Sequence, residues 1–157
     1  MTKSSLRVRH WSHVILHVAD LEASLGFYRD FLGAETFSQD EIAGPDFERM
    51  MGVPGAKAQI VNLVLGGQKV ELIHLAGVPI GPPAERVARG LAGFTVRVDD
   101  IDEAHRQAGL WGYSPLSEPT EIEGFKQFAL HDPDGVMIRR THRRPVRRVC
   151  AVPLVRC

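Results

Sequence analysis

The chain has 157 residues, 44% of them hydrophobic and 24% charged, which suits a soluble globular protein of one domain or of two small modules sharing a core. Net charge is zero, but residues 139–157 hold seven arginines and no acid, leaving 12 basic against 19 acidic side chains elsewhere, and so acidic a body excludes a nucleic-acid partner. No apolar run could span a membrane, the opening residues lack a signal-peptide core, and the only cysteines, Cys150 and Cys157, suit a reducing cytoplasm better than a disulfide framework or a structural zinc.

Residues 1–10 read as a lead-in. Residues 12–18 alternate, with Val14, Leu16 and Val18 on one face and His13, Ile15 and His17 on the other, which predicts a half-buried strand. Asp20 then caps a helix whose apolar stripe is Leu21, Leu25, Tyr28, Phe31 and Leu32, and Gly33 ends it in the left-handed conformation. Residues 34–40 suit a short strand. Residues 41–56 are broken by Gly44-Pro45, Gly52 and Pro54-Gly55, with Phe47, Met50 and Met51 on a single helical turn. A β-rich run at 57–65, a Gly66-Gly67 turn and a returning strand at 69–75 form a hairpin. Residues 77–90, with Pro79, Pro82 and Pro83, read as a linker.

The segment Val98-Asp99-Asp100-Ile101-Asp102-Glu103-Ala104 echoes Val18-Ala19-Asp20-Leu21-Glu22-Ala23-Ser24 at an offset of 80 residues. It follows a strand at 91–98 and starts a second helix through an Asp100/Glu103 capping box, with Gly109 as its stop. Strands at 125–131 and 136–141 flank the tight turn Asp132-Pro133-Asp134-Gly135. The fold class is therefore α+β: two βαβββ modules, residues 11–76 and 91–141, forming curved sheets around a cleft with the helices outside. Residues 142–157 form a basic tail, read as a solvated extension.

Alternation assigns the polar face of this cleft. Module one contributes His13, Ile15, His17, Asn62, Val64, Glu71 and Ile73. Module two contributes Gly93, Thr95, Arg97, Met137 and Arg139, with Phe128 or Gln127 depending on register. Glu71, between Val70 and Leu72, needs a cation or a proton if it is buried, and His13 is the nearest neighbour if the first and fourth strands are adjacent. Phe47 and Met50 are candidates for an apolar lid over a ligand.

These motifs, in order H-V-x-x-x-V-x-D-L-x-x-S-x-x-F-Y-x-D-x-L-G, V-E-L-I, V-x-D-I-D-E-A and D-P-D-G, resemble the vicinal oxygen chelate superfamily, from about residue 12 to residue 140. That group includes glyoxalases, methylmalonyl-CoA epimerases, extradiol dioxygenases, and the fosfomycin- and bleomycin-resistance proteins. The resemblance implies a divalent-metal site with four corners. His13 and Glu71 match the first two and are the candidate metal ligands. The other two fall on Gly93, which has no ligand atom, and on Arg139, whose guanidinium repels a cation. Catalytic divalent sites usually hold at least three protein ligands. A full site for zinc, nickel, manganese or iron is thus not expected unless His17, His74 or His131 rearranges to complete it. Arg139 is expected to take the metal's place in a buried ion pair with Glu71. The resemblance also implies a homodimer.

The expected function is a glyoxalase-like lyase or isomerase that abstracts a proton next to a carbonyl of a small polar organic substrate. Glu71 is the candidate base, His13 and His17 move protons, and Arg139 with Arg97 stabilises an enolate or carboxylate. Asn62, Thr95, Arg97, Phe128, Phe47 and Met50 are the candidate substrate contacts. Two alternatives stand beside this reading: a sequestering protein of the bleomycin-resistance type, and a metal-dependent glyoxalase, epimerase or dioxygenase with rearranged ligands.

Overall fold

The computed structural model describes residues 10–78, 81–82, 91 and 93–143. Most of the lead-in, most of the linker and residues 144–157 of the tail lie outside the described residues. The chain divides into two compact units between Pro82 and Pro83. Each unit is α+β and contains one four-stranded mixed sheet.

In the first unit, β1 (His13–His17), β2 (Glu35–Ala43), β3 (Lys57–Leu65) and β4 (Gln68–Ala76) pair in the order β1-β4-β3-β2. The first strand runs parallel to β4 and the other pairs are antiparallel. The loop between β3 and β4 is two residues long, and Gly66 and Gly67 both have positive φ, as a hairpin matched to strand twist requires. Helix α1 (Leu21–Leu25) starts at Asp20, whose carboxylate accepts from the Ala23 amide. It runs on as a π-helical segment, Gly26–Phe31. The wider turn brings Phe27 and Tyr28 inward together, and neither is exposed. A stripe counted at α-helical spacing includes Tyr28 and omits Phe27. Helix α1 packs on β4 and the π segment on β3, closing a core with Leu16, Val61, Leu63, Val70 and Leu72. Each such aliphatic side chain contributes about 1.5–3 kcal/mol by leaving water.

The opposite face of this sheet is partly covered as well. Helix α2 (Pro45–Met51) brings Phe47 into a second cluster with Ala56, Ala58, Ile60, Ile73 and Leu75. Strand β2 runs on to Ala43, beyond the expected end at residue 40, and carries a bulge between Thr36 and Ser38.

The second unit repeats the plan. Strands β5 (Gly93–Arg97), β6 (Thr120–Ile122), β7 (Phe125–His131) and β8 (Met137–Arg143) pair in the order β5-β8-β7-β6, with β5 parallel to β8. Helix α3 (Ile101–Leu110) is capped by Asp100, which accepts from the amides of Asp102 and Glu103. The expected capping box is only half formed, since the Glu103 carboxylate bonds Arg106 and Gln107 instead. Gly109 lies inside the helix, and it is Gly112 that takes the left-handed conformation after it. Strand β6 was not legible in the sequence. Strand β8 extends through residues 142 and 143, which alternation had placed in the tail. Helix α3 packs on β7 and β8, over Phe128, Leu130, Ile138 and the buried Arg140.

The duplication extends to hydrogen bonds. Val18 donates its amide to Ile73, and Val98 donates its amide to Thr141. The Nδ1 of His74 donates to the Val18 carbonyl at 3.1 Å, and that of His142 to the Val98 carbonyl at 3.2 Å. The fourth strand of each unit thus holds the end of the first strand in the same way.

Candidate active site

The parallel pairing of β1 with β4 sets one face of the first sheet. Ile15 lies opposite Glu71, His13 opposite Lys69, and His17 opposite Ile73. On the other side of β4, Asn62 lies opposite Glu71. Glu71 therefore stands on a central strand with only 16% of its side chain exposed. His13 reaches it diagonally, with Nε2 at 3.6 Å from Oε2. That distance allows charge attraction but exceeds a hydrogen bond. The Ser12 hydroxyl lies 2.9 Å from Nδ1 of the same ring and fixes which nitrogen turns towards Glu71. The carboxylate is held near an imidazole without being tied to it, so its lone pairs stay open to a proton.

Asn62 is half-buried and spends its amide on Ser38, donating to Oγ at 3.1 Å, while the Ser38 hydroxyl donates to Asp40 at 3.1 Å. This polar chain was missed in the sequence because the β2 bulge interrupts the alternation that would have revealed it. Lys69 is on the same face, with Nζ 4.6 Å from the centre of the Phe37 ring. His17 is exposed beside Ile73, and its side chain is not brought to Glu71. Of the two lid candidates, Phe47 is a core residue of the α2 cluster, whereas Met50 is 72% exposed. Met51, not Met50, packs on that cluster.

In the second unit, Thr95 lies opposite Arg139, Arg97 opposite Thr141, and Gln127 opposite Thr141 from the other side. The register settles the choice between Phe128 and Gln127. Phe128 pairs with Arg140 and faces α3, where it is buried against the His105 ring with centroids 5.1 Å apart. Phe128 is therefore a core residue, and Gln127 shares the face of Thr95 and Arg139. His105 is half-buried in that contact. The Arg140 guanidinium lies 5.7 Å from the Phe128 ring, and burial pushes its pKa down to about 10. Arg139, the expected partner of Glu71, belongs to the second unit and is exposed there, and within the first unit the β1·β4 register puts His13 and Glu71 on one face.

The residues present do not fit a four-ligand metal site. Gly93 has φ of +150°, and a Cβ built there would lie 1.9 Å from the Met137 carbonyl oxygen, so no ligating side chain fits at this corner. Arg139 holds the fourth corner with a cation. His74 is turned to the opposite face and spends Nδ1 on Val18. Among the described residues, no three His, Cys, Asp or Glu side chains are gathered as a metal would need.

Residues 10–139 match the family model described as the Glyoxalase/Bleomycin resistance protein/Dioxygenase superfamily. The mitochondrial methylmalonyl-CoA epimerase of Mus musculus is 30% identical over 134 residues, covering 81% of this chain and 69% of the relative. The Homo sapiens protein of the same name is 28% identical over 145 residues, covering 88% of this chain and 76% of the relative. Among solved structures, a glyoxalase family protein from Bacillus cereus superposes with a TM-score of 0.79 at 18% identity, covering 90% of this chain and 98% of that one. The duplicated βαβββ plan and these matches agree, and the chain belongs to the glyoxalase/bleomycin resistance protein/dioxygenase superfamily.

Proposed function

We propose that the protein is an isomerase- or lyase-type enzyme that moves a proton at a carbon next to a carbonyl of a small organic substrate. The observation that carries this reading is the His13–Glu71 pair on the face of the first sheet away from α1. Glu71 takes the proton, and the electron pair of the broken C–H bond passes to the carbonyl oxygen as an enolate. Return of a proton to carbon completes an isomerisation. His13 holds the carboxylate in position and compensates the charge that the proton changes. The two epimerase relatives favour the isomerase form, since their name denotes inversion at one centre. A metal is assigned no step, because Gly93 and Arg139 do not supply the missing ligands. Pairing of two chains belongs to the same reading and is read by sedimentation.

The sequestering alternative is favoured by Gly93 and Arg139 themselves, since a binder needs no metal ligands at those corners. One experiment separates the two. The protein is incubated in deuterated water with α-branched acyl thioesters and 2-oxo acids, and exchange of the acidic C–H is followed by mass spectrometry. Exchange by the native chain, reduced roughly 10²–10⁴-fold in Glu71→Gln and also reduced in His13→Ala, supports the enzyme. Ligand binding unchanged in both variants, with no exchange for any compound, replaces it with the binder.

A further inference from the structure

We propose that the open face of the second sheet is an oxyanion-binding site, built to take a carboxylate or phosphoryl group of a small organic ligand on Arg97 and Arg139. The inference stands apart from the acid–base reading, because it rests on residues of the second unit alone.

Three observations carry it. First, Arg97 and Arg139 have no ion-pair partner among the described residues, although other cations of this unit do. Lys126 is held by Asp102 at 2.6 Å, and Arg106 by Glu103 at 2.6 Å. Second, the register puts the two guanidinium stems on one face. Arg97 lies opposite Thr141, which is two residues along β8 from Arg139. Strand spacing and rise then separate their Cα atoms by roughly 8 Å, a span that two extended arginines close around one oxyanion. No acid competes for them on β5 to β8. The only carboxylate on these strands, Glu121, pairs in register with Lys126 on the helix side. Third, Thr141 lies beside both arginines in register on this face, and its buried hydroxyl has no hydrogen-bond partner among the described residues. A buried hydroxyl left without a partner is uncommon, and a small shift of the side chains that cover it would let it donate to an anion held on the two arginines. Thr95 and Gln127, neighbours of Arg139 and Thr141 in register, complete a face of donors.

Guanidiniums match carboxylate and phosphoryl oxygens equally in kind, so the test uses both. Backbone amide shifts of the full chain are followed by NMR while malonate, and separately inorganic phosphate, is added into the millimolar range. Saturable shifts centred on Thr95, Arg97, Arg139 and Thr141 are expected, with the tighter of the two anions identifying the source. Arg97→Gln and Arg139→Gln should each weaken that binding about tenfold or more. Arg106→Gln removes the same charge from the helix side and should leave it within about twofold. Equal weakening by all three would reduce the effect to net charge and overturn the proposal. So would the absence of saturable shifts with either anion.

Discussion

A Cβ on Gly93 would stand 1.9 Å from the carbonyl oxygen of Met137, its register partner on β8. The contact is with backbone, which cannot rotate away, and φ of +150° is a conformation that L side chains rarely adopt. Both obstacles must be overcome by any replacement. Gly93→Ala should therefore cost about 3 kcal/mol or more, from strain and from loosened β5·β8 pairing. Gly33→Ala is the comparison: φ is +76° there, but nothing stands within 4 Å, and about 1 kcal/mol is expected. Urea denaturation of both variants tests the difference. Equal losses would show that the close approach of Met137 contributes nothing beyond the backbone conformation.

Phe47 and Met50 are three residues apart on α2 and looked alike in sequence as lid residues. Phe47 is 6% exposed and packs against Ala56, Ala58, Ile60, Ile73 and Leu75, whereas Met50 is 72% exposed. Phe47→Ala should cost about 3–5 kcal/mol by opening a cavity, and Met50→Ala less than about 0.5 kcal/mol. Thermal denaturation measures both. A Phe47→Ala variant as stable as the native chain would return Phe47 to the role of a mobile lid.

What was legible in the sequence follows the range of the interactions involved. The caps at Asp20 and Asp100, the Gly66-Gly67 turn and the stop at Gly33 are written within a few residues, and the chain forms them all, with only the Glu103 half of the second capping box left unmade. The His13–Glu71 neighbourhood was also legible, because an alternating first strand and a parallel partner leave few choices of face. The errors come where one strand's phase depends on another. Phe128 and Gln127 cannot be told apart until β7 is set against β8, and the β2 bulge hides Ser38 and Asp40 behind a break in alternation. The π-helical widening that buries Phe27 is likewise a response to the sheet beneath it, invisible to a count at 3.6 residues per turn.

His74 and His142 give the duplication an energetic test. Each ring donates to the carbonyl of the residue that follows its unit's first strand, Val18 or Val98. Removing the ring leaves one partly buried carbonyl without that partner, at a cost of about 1 kcal/mol. His74→Ala and His142→Ala should lose similar amounts. Hydrogen exchange should quicken first at the ends of β1 and β5 respectively, since the lost bond is local. Exchange that quickens evenly across the whole unit would mean that the histidines act through packing rather than through these two bonds.

Thr141 offers a prediction of opposite sign. Among the described residues its buried hydroxyl has no partner, an arrangement that costs stability unless an anion or another acceptor satisfies it. Valine has the same shape and no hydroxyl to satisfy. Thr141→Val should therefore raise stability by about 1 kcal/mol in the absence of anions, measured as an increase in the urea midpoint with an unchanged slope. The gain should shrink when malonate or phosphate is present at saturation, because only the native hydroxyl then acquires a partner and only the native chain is stabilised by it. A Thr141→Val chain less stable than the native one under both conditions would show that the hydroxyl already has an acceptor, and would remove it from the anion-binding face.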